Sequence, residues 1–302
     1  MFNDFRFCFI IFVKNQTKMK NYFFLFSVLF LISCGKEDTI PEVDTDGDGV
    51  FDSIDLDNNT RQGVPVDENG EMLNPIYLDE NGVTVKSYEW SEVGDVGKLN
   101  GTEYPIVDVQ EIKSMINNNE DLSKICTSKV TDMNYLFVNS KFNGNISNWD
   151  VSNVVFMDYM FSNSQFNGDI SNWDVSSVTN MGSTFSESQF NGDISNWDVS
   201  SVTGMSGMFY KSQFNGDISN WDVSSVTIMD YMFTLTPFNG DISNWDVSNV
   251  NRMKSMFHDT TLFNQDLSSW NVNGVTECLY FSRGNSEWTL PKPNFTNCTG
   301  YN

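Results

Sequence analysis

From Phe142 onward the apolar and polar positions repeat with a fixed period. Segments starting at Phe142, Phe166, Phe190, Phe214 and Phe238 recur every 24 residues, and a sixth follows at Phe263 after 25, each a variant of FNGDISNWDVSSVTxMxxMF. Within a turn, Ile170, Trp173 and Val175 follow the pattern Ile-x-x-Trp-x-Val, whose final period of two predicts a short strand with one buried face. Strands of successive turns are then expected to pair in parallel. Val178, Met181 and Phe185 next fall at i, i+3 and i+7, and Val202, Met205, Met208 and Phe209 repeat that spacing, which predicts a short helix. Ser176, Ser177 and Thr179 just before it are of the types that accept hydrogen bonds from free N–H groups at a helix start. The Asn-Gly pair of the first five turns predicts a tight return with positive φ.

One such turn cannot bury its own apolar face, so neighbours must share a core. The expected fold class is an α/β repeat solenoid with short parallel strands and short helices, preceded by a small β-rich cap region. At about 4.8 Å per turn, six turns stack to roughly 30 Å. Val130, Met133, Leu136 and Phe137 match half of a preceding turn, while Cys278 takes the Met column and Phe281 slips one place. Degenerate ends of this kind cover the open edges of a stack.

The repeat resembles that of the BspA-like leucine-rich-repeat family of bacterial surface lipoproteins (DUF285-like), which reads close to FNxDISxWDVSNVTxMxxMF. The likeness covers about half of the chain, with Asn, Asp, Trp, Asp, Val, Ser and Met at fixed places in turn after turn. It implies a right-handed solenoid of leucine-rich-repeat type and a role in attachment to surfaces or host proteins.

Upstream of the repeats the pattern changes. Residues 59–125 carry the turn signals Val66-Asp-Glu-Asn-Gly70 and Leu78-Asp-Glu-Asn-Gly82, and Asn100-Gly101 sits between apolar runs as a hairpin turn. Asp108 with Glu111 three residues on predicts the start of a helix through Ile112, Met115 and Ile116. This β-rich region and N-terminal cap leads into repeats at 126–281, and a C-terminal cap at 282–302 contains Pro291 and Pro293, which end regular pairing.

Met19-Lys20-Asn21 followed by the apolar run Tyr22 to Ile32 reads as a signal peptide within residues 1–33, with Met19 as the true start. Leu31-Ile32-Ser33-Cys34 resembles the lipobox of bacterial lipoproteins, which implies cleavage before Cys34 and its lipidation; the other reading is an uncleaved membrane anchor. Gly35, Lys36, Glu37 and Asp38 resemble the signal that sends lipoproteins to the outer face of the outer membrane, so residues 34–43 are expected to be a lipidated tether on the cell surface.

Net charge is −23, and residues 1–33 carry four bases and one acid, so their loss leaves −26. Such a surface repels phosphate backbones, which argues against nucleic acid as a partner. An oxidising exterior permits Cys278 to pair with Cys298 and leaves Cys126 as a lone thiol.

Residues 44–58 hold the most specific ligand pattern. Asp44, Asp46, Asp48, Asp52 and Asp55 occupy loop positions 1, 3, 5, 9 and 12, Gly49 occupies position 6, and Val50 offers a carbonyl at position 7. Alternate carboxylates with a glycine at the bend are what a calcium loop uses. Position 12 is Asp rather than Glu and no flanking amphipathic helices are present, so the segment looks like a thrombospondin type 3 repeat with structural calcium. The alternative is an acidic spacer.

Two polar columns recur in the repeats. Asp150, Asp174, Asp198, Asp222 and Asp246 lie between Trp and Val, where strand alternation points them outward as a candidate ligand-binding ladder; hydrogen bonding to their own backbone is the other reading. A second column, Asn145, Asp169, Asp193, Asp217, Asp241 and Asp266, lies where Asp caps its own turn. His258, the one histidine, has no nucleophile or metal partners at motif spacing. The expected function is a non-enzymatic, surface-anchored binding or adhesion module for an extracellular protein or glycan. A structural surface repeat without a dedicated ligand and a polysaccharide-active solenoid enzyme are the alternatives.

Overall fold

The computed structural model describes residues 42–300, and the chain from Val43 onward forms one compact unit. The expected signal peptide, Met19 start and Cys34 lie outside the described residues. Among the described residues no helix is long and apolar enough to cross a membrane.

The first elements form two hairpins. Strand β1 (Ile76–Leu78) pairs antiparallel with β2 (Val85–Ser87), and β3 (Val96–Leu99) pairs antiparallel with β4 (Thr102–Pro105). Asn100 and Gly101 close the second hairpin with φ of 50° and 82°, the left-handed pair that suits a two-residue turn. Helix α1 (Val109–Asn118) starts with a full capping box. Asp108 accepts from the Gln110 and Glu111 N–H groups at 2.8 Å each, and Glu111 accepts from the Asp108 N–H at 2.9 Å. Ile112 is the residue that α1 buries.

Past α1 the chain coils on itself. Parallel bridges run from Asp132 to Phe156, Asn180, Gly204, Ile228, Arg252 and Glu277, one residue per turn. Parallel pairing therefore sits immediately before each Met and not at the Trp. The Ile-Trp-Val segment, expected as a strand, is a run of turns in which Trp173 N–H donates to the Ile170 carbonyl at 3.1 Å and Val178 N–H to the Val175 carbonyl at 2.9 Å.

The segment expected as a helix also differs. Met157, Tyr159, Phe161 and Asn163 N–H groups donate to the carbonyls of Asn180, Gly182, Thr184 and Ser186 on the next turn, while Met160 and Ser162 donate three residues back within their own turn. Alternate N–H groups thus bond outward and inward, which excludes the uniform i to i−4 ladder of an α-helix. Overlapping turns with Tyr159 and Asn163 at φ of 57° and 51° produce the same apolar spacing.

The repeated apolar residues fill one continuous core. Each Trp joins its turn to the preceding one: the indole N–H of Trp197 donates to the Ile170 carbonyl at 3.1 Å, and that of Trp221 to the Ile194 carbonyl at 3.0 Å. Phe161, Phe185, Phe209 and Phe233 form one column with centroids 5.6 to 5.9 Å apart, beside a second column through Phe166, Phe190 and Phe214 at 6.4 Å.

The repeated glycine serves that second column. Gly192 is not in the left-handed region, contrary to the sequence expectation; a Cβ there would lie 2.9 Å from the Phe190 ring and 3.5 Å from the Gly168 carbonyl oxygen. At the far end Trp288 meets Phe257 and Phe263 edge-on, at 5.3 and 4.8 Å, and closes the stack. Cys278 and Cys298 form a disulfide there, while Cys126 is a buried free thiol.

Candidate functional site

Among the described residues three places carry chemistry beyond packing. The first is the acidic loop. Carboxylate oxygens of Asp44, Asp46 and Asp48 lie within 4.8 Å of one another. Asp44 is held open by the Gly47 and Gly49 N–H groups at 2.7 and 3.1 Å, Asp46 Oδ2 accepts from the Thr60 N–H at 2.7 Å, and Asp48 Oδ1 accepts from the Val50 N–H at 2.7 Å. Asp52 turns to Thr45, taking its N–H at 2.8 Å and its hydroxyl at 2.7 Å. Those bonds, the hydroxyl's first, hold the Asp52 carboxyl below its ordinary range.

Asp55 is only 8% exposed. Its Oδ1 accepts from the Asp57 N–H at 2.8 Å, but Asp55 Oδ2 and Asp48 Oδ2 are both buried without a hydrogen-bond partner. Burial, and after it the charges of Asp48, Asp46 and Asp57, push the Asp55 carboxyl up. Gly70, at φ 80°, covers the pair: a Cβ there would clash with Asp55 Oδ1 and reach 3.4 Å from Asp48 Oδ2. Buried carboxylate oxygens facing like charge without a donor fit a divalent cation.

The sequence assigned this loop's acids but missed Thr60, Gly70 and Asp57. Asp57 continues the alternate-acid register of Asp55 and was legible on that ground. Thr60 and Gly70 arrive through the following turn, where the Thr60 hydroxyl donates to the Gly70 carbonyl at 2.9 Å. That contact has no local sequence signal.

The second place is the Asp column. Asp174 accepts from the Ser176 N–H at 3.1 Å and hydroxyl at 2.6 Å, and Asp198 does the same with Ser200 at 3.0 and 2.6 Å. Asp222 and Asp246 take the Ser224 and Ser248 N–H groups, at 3.0 Å each. Asp150 is buried and receives the Ser128 hydroxyl besides its own Ser152. The second column, Asp169 to Asp266, repeats the arrangement with the serine two residues on. Each carboxylate in both columns thus caps its own turn, and the local Asp-x-Ser pattern was the readable signal. Asp174, Asp198, Asp222 and Asp246 are exposed between a buried Trp and a buried Val, as the alternation predicted, but on turns and not on a strand, and Asp150 is buried.

The third place was not singled out from the sequence. Along the bridge ladder the turns differ from one another: the positions one before, one after and two after the Met read Phe156, Asp158, Tyr159 in one turn and Ile228, Asp230, Tyr231 in another. The two turns between them read Asn180, Gly182, Ser183 and Gly204, Ser206, Gly207. Small residues in the middle leave a recess of about 460 Å³ bounded by Phe156, Asp158 and Tyr159 on one side and by Ile228 on the other, while Tyr231 borders an adjoining hollow. Asp230 is tied to Arg252, whose Nε lies 2.8 Å away, whereas burial pushes the half-buried Asp158 carboxyl up.

The family model described as "Mycoplasma protein of unknown function, DUF285" matches residues 108–213 and again residues 185–289. No curated protein and no solved structure matches the chain.

Proposed function

The chain belongs to the DUF285 family, whose function is unknown, and from that premise we propose that it is a non-enzymatic binding module displayed on the bacterial cell surface. In this reading the repeats form a right-handed solenoid of the BspA-like leucine-rich-repeat type, Cys34 carries the lipid that anchors it to the outer membrane, and the ligand is an extracellular protein or glycan.

One observation carries the binding role. Positions that recur from turn to turn serve the core, turn capping or bonds between turns, as where the Asn191 N–H donates to Asn167 Oδ1, whereas the positions that change gather along the bridge ladder. Stacked repeats that share a scaffold and vary one face make extended recognition surfaces. We therefore place the binding face on the bridge ladder and not on the Asp150, Asp174, Asp198, Asp222 and Asp246 column.

The acidic loop is the proposed calcium site, of thrombospondin type 3-like character. Asp44, Asp46, Asp48 and Asp55 would hold the ion, which supplies the positive charge that the partnerless oxygens of Asp48 and Asp55 lack. Its role is structural, fixing the segment that joins the anchor to the repeats.

The test is saturable binding of the full chain, in detergent, to immobilised extracellular proteins and oligosaccharides, beside protease accessibility on intact cells. Binding that survives Asp198→Asn with Asp222→Asn supports the assignment of the face. Loss of binding in that pair at an unchanged melting temperature would return the site to the Asp column. Protection from protease until lysis would remove the surface location.

A further inference from the structure

The recess on the bridge ladder has a defined origin. In the column two residues after the Met, successive turns place Tyr135, Tyr159, Ser183, Gly207 and Tyr231 at nearly one backbone conformation, with φ of 61°, 57°, 54°, 61° and 59°. Where consecutive turns both carry a ring, the rings stack: Tyr135 and Tyr159 lie 5.0 Å apart and 7° from parallel. Ser183 and Gly207 interrupt that row. Three turn spacings of about 4.8 Å leave the Tyr159 and Tyr231 backbones roughly 14 Å apart, the length of one or two pyranose rings between aromatic walls.

Walls and floor differ in character. Tyr159 and Tyr231 are both exposed and, with Tyr210, border a second hollow of about 370 Å³ that shares Tyr159, Ser183 and Ser206 with the first. On the floor, the side chains of Asn180, Ser183 and Ser206 make no hydrogen bond among the described residues. Burial pushes the Asp158 carboxyl up, and Asp158 has no cationic partner among the described residues. Apolar walls with a few unpaired donors and acceptors between them match a ligand that has apolar ring faces and a hydroxyl rim. An apolar peptide side chain would leave those polar groups dry and unpaired. A phosphate or uronic acid would meet Asp158 and a chain of net charge −23.

We propose that this recess is a saccharide-binding site, seating a neutral hexopyranose unit of a glycan between Tyr159 and Tyr231 with its hydroxyls on Asn180, Ser183, Ser206 and Asp158. The inference rests on the reading of the bridge ladder as the binding face and names its ligand class.

Ser183→Tyr is the deciding variant. It fills the gap with the residue that the same column already accepts one turn earlier, so the fold has a precedent for it. The full chain in detergent is applied to an array of neutral, amino and acidic oligosaccharides, and the best neutral binder is titrated by calorimetry. Saturable binding to neutral hexose glycans is expected, weakened at least tenfold by Ser183→Tyr and severalfold by Tyr231→Ala, with the melting temperature of each variant within a degree of the parent. Tyr231→Ala alone decides the matter if Ser183→Tyr melts early. Binding confined to acidic glycans, or unchanged in these variants, overturns the proposal. If no glycan binds but an immobilised protein is held saturably and released by Ser183→Tyr, the sugar assignment falls while the binding face stands; if nothing is held, both fall.

Discussion

Gly192→Ala tests the packing account of the repeat most sharply, because the clash of a new Cβ and the stiffening of the unfolded chain act with opposite signs. A Cβ at Gly192 would stand 2.9 and 3.0 Å from Phe190 Cε2 and Cζ, against about 3.5 to 4.0 Å for relaxed carbon contacts. The ring cannot tilt freely to relieve this. It lies 4.2 Å from Phe185 and 6.4 Å from both Phe166 and Phe214, centroid to centroid.

Overpacking of this kind costs about 1 to 3 kcal/mol. Replacing glycine stiffens the unfolded chain and returns about 0.4 to 1 kcal/mol. The expected net destabilisation is about 1.5 kcal/mol, a fall in melting temperature of roughly 3 to 6 °C for a unit of this size. Urea and thermal melts followed by tryptophan fluorescence read it directly. Phe190→Leu removes the clashing ring atoms, so the double variant should be more stable than the sum of the singles by at least about 0.5 kcal/mol. An increase in stability for Gly192→Ala, or strict additivity with Phe190→Leu, would refute the close-packing reasoning.

Three further outcomes follow from the geometry. Asp55→Asn removes a buried charge whose Oδ2 lacks a donor, so it should raise the melting temperature in EGTA and abolish the gain given by millimolar calcium; an unaltered calcium gain would exclude Asp55 as a ligand. Asp169, Asp193, Asp217 and Asp241 are held below their ordinary range, first by the serine N–H two residues on and then by its hydroxyl. Their contribution is therefore complete above the unfolded value near 3.9 and is lost as pH falls through the folded values. Urea midpoints should drop steeply below about pH 4, and Ser195→Ala should make that drop shallower. Reduction of the Cys278–Cys298 bridge, which closes 20 residues of sequence, should cost about 3 kcal/mol, and an unchanged midpoint under reductant would show that the end cap does not need it.

Local patterns in the chain were enough to read the repeat, its buried columns, the Asn100-Gly101 hairpin, the Asp108 capping box and the acids of the 44–55 loop. All of these depend on residues a few positions apart, whose side-chain type and spacing are written directly in the sequence. Only the tertiary structure decided which half of each turn carries the parallel bridges, because spacings of two and of three to four describe which side chains face the core, not which N–H groups bond to the next turn. The Phe column likewise gave the repeated glycine its reason, and Gly70 and Thr60 joined the acidic loop through contacts made across a separate turn. The recess between Tyr159 and Tyr231 exists because stacking brings residues 72 apart in sequence onto one face with two small turns between them, a relation that no window along the chain contains.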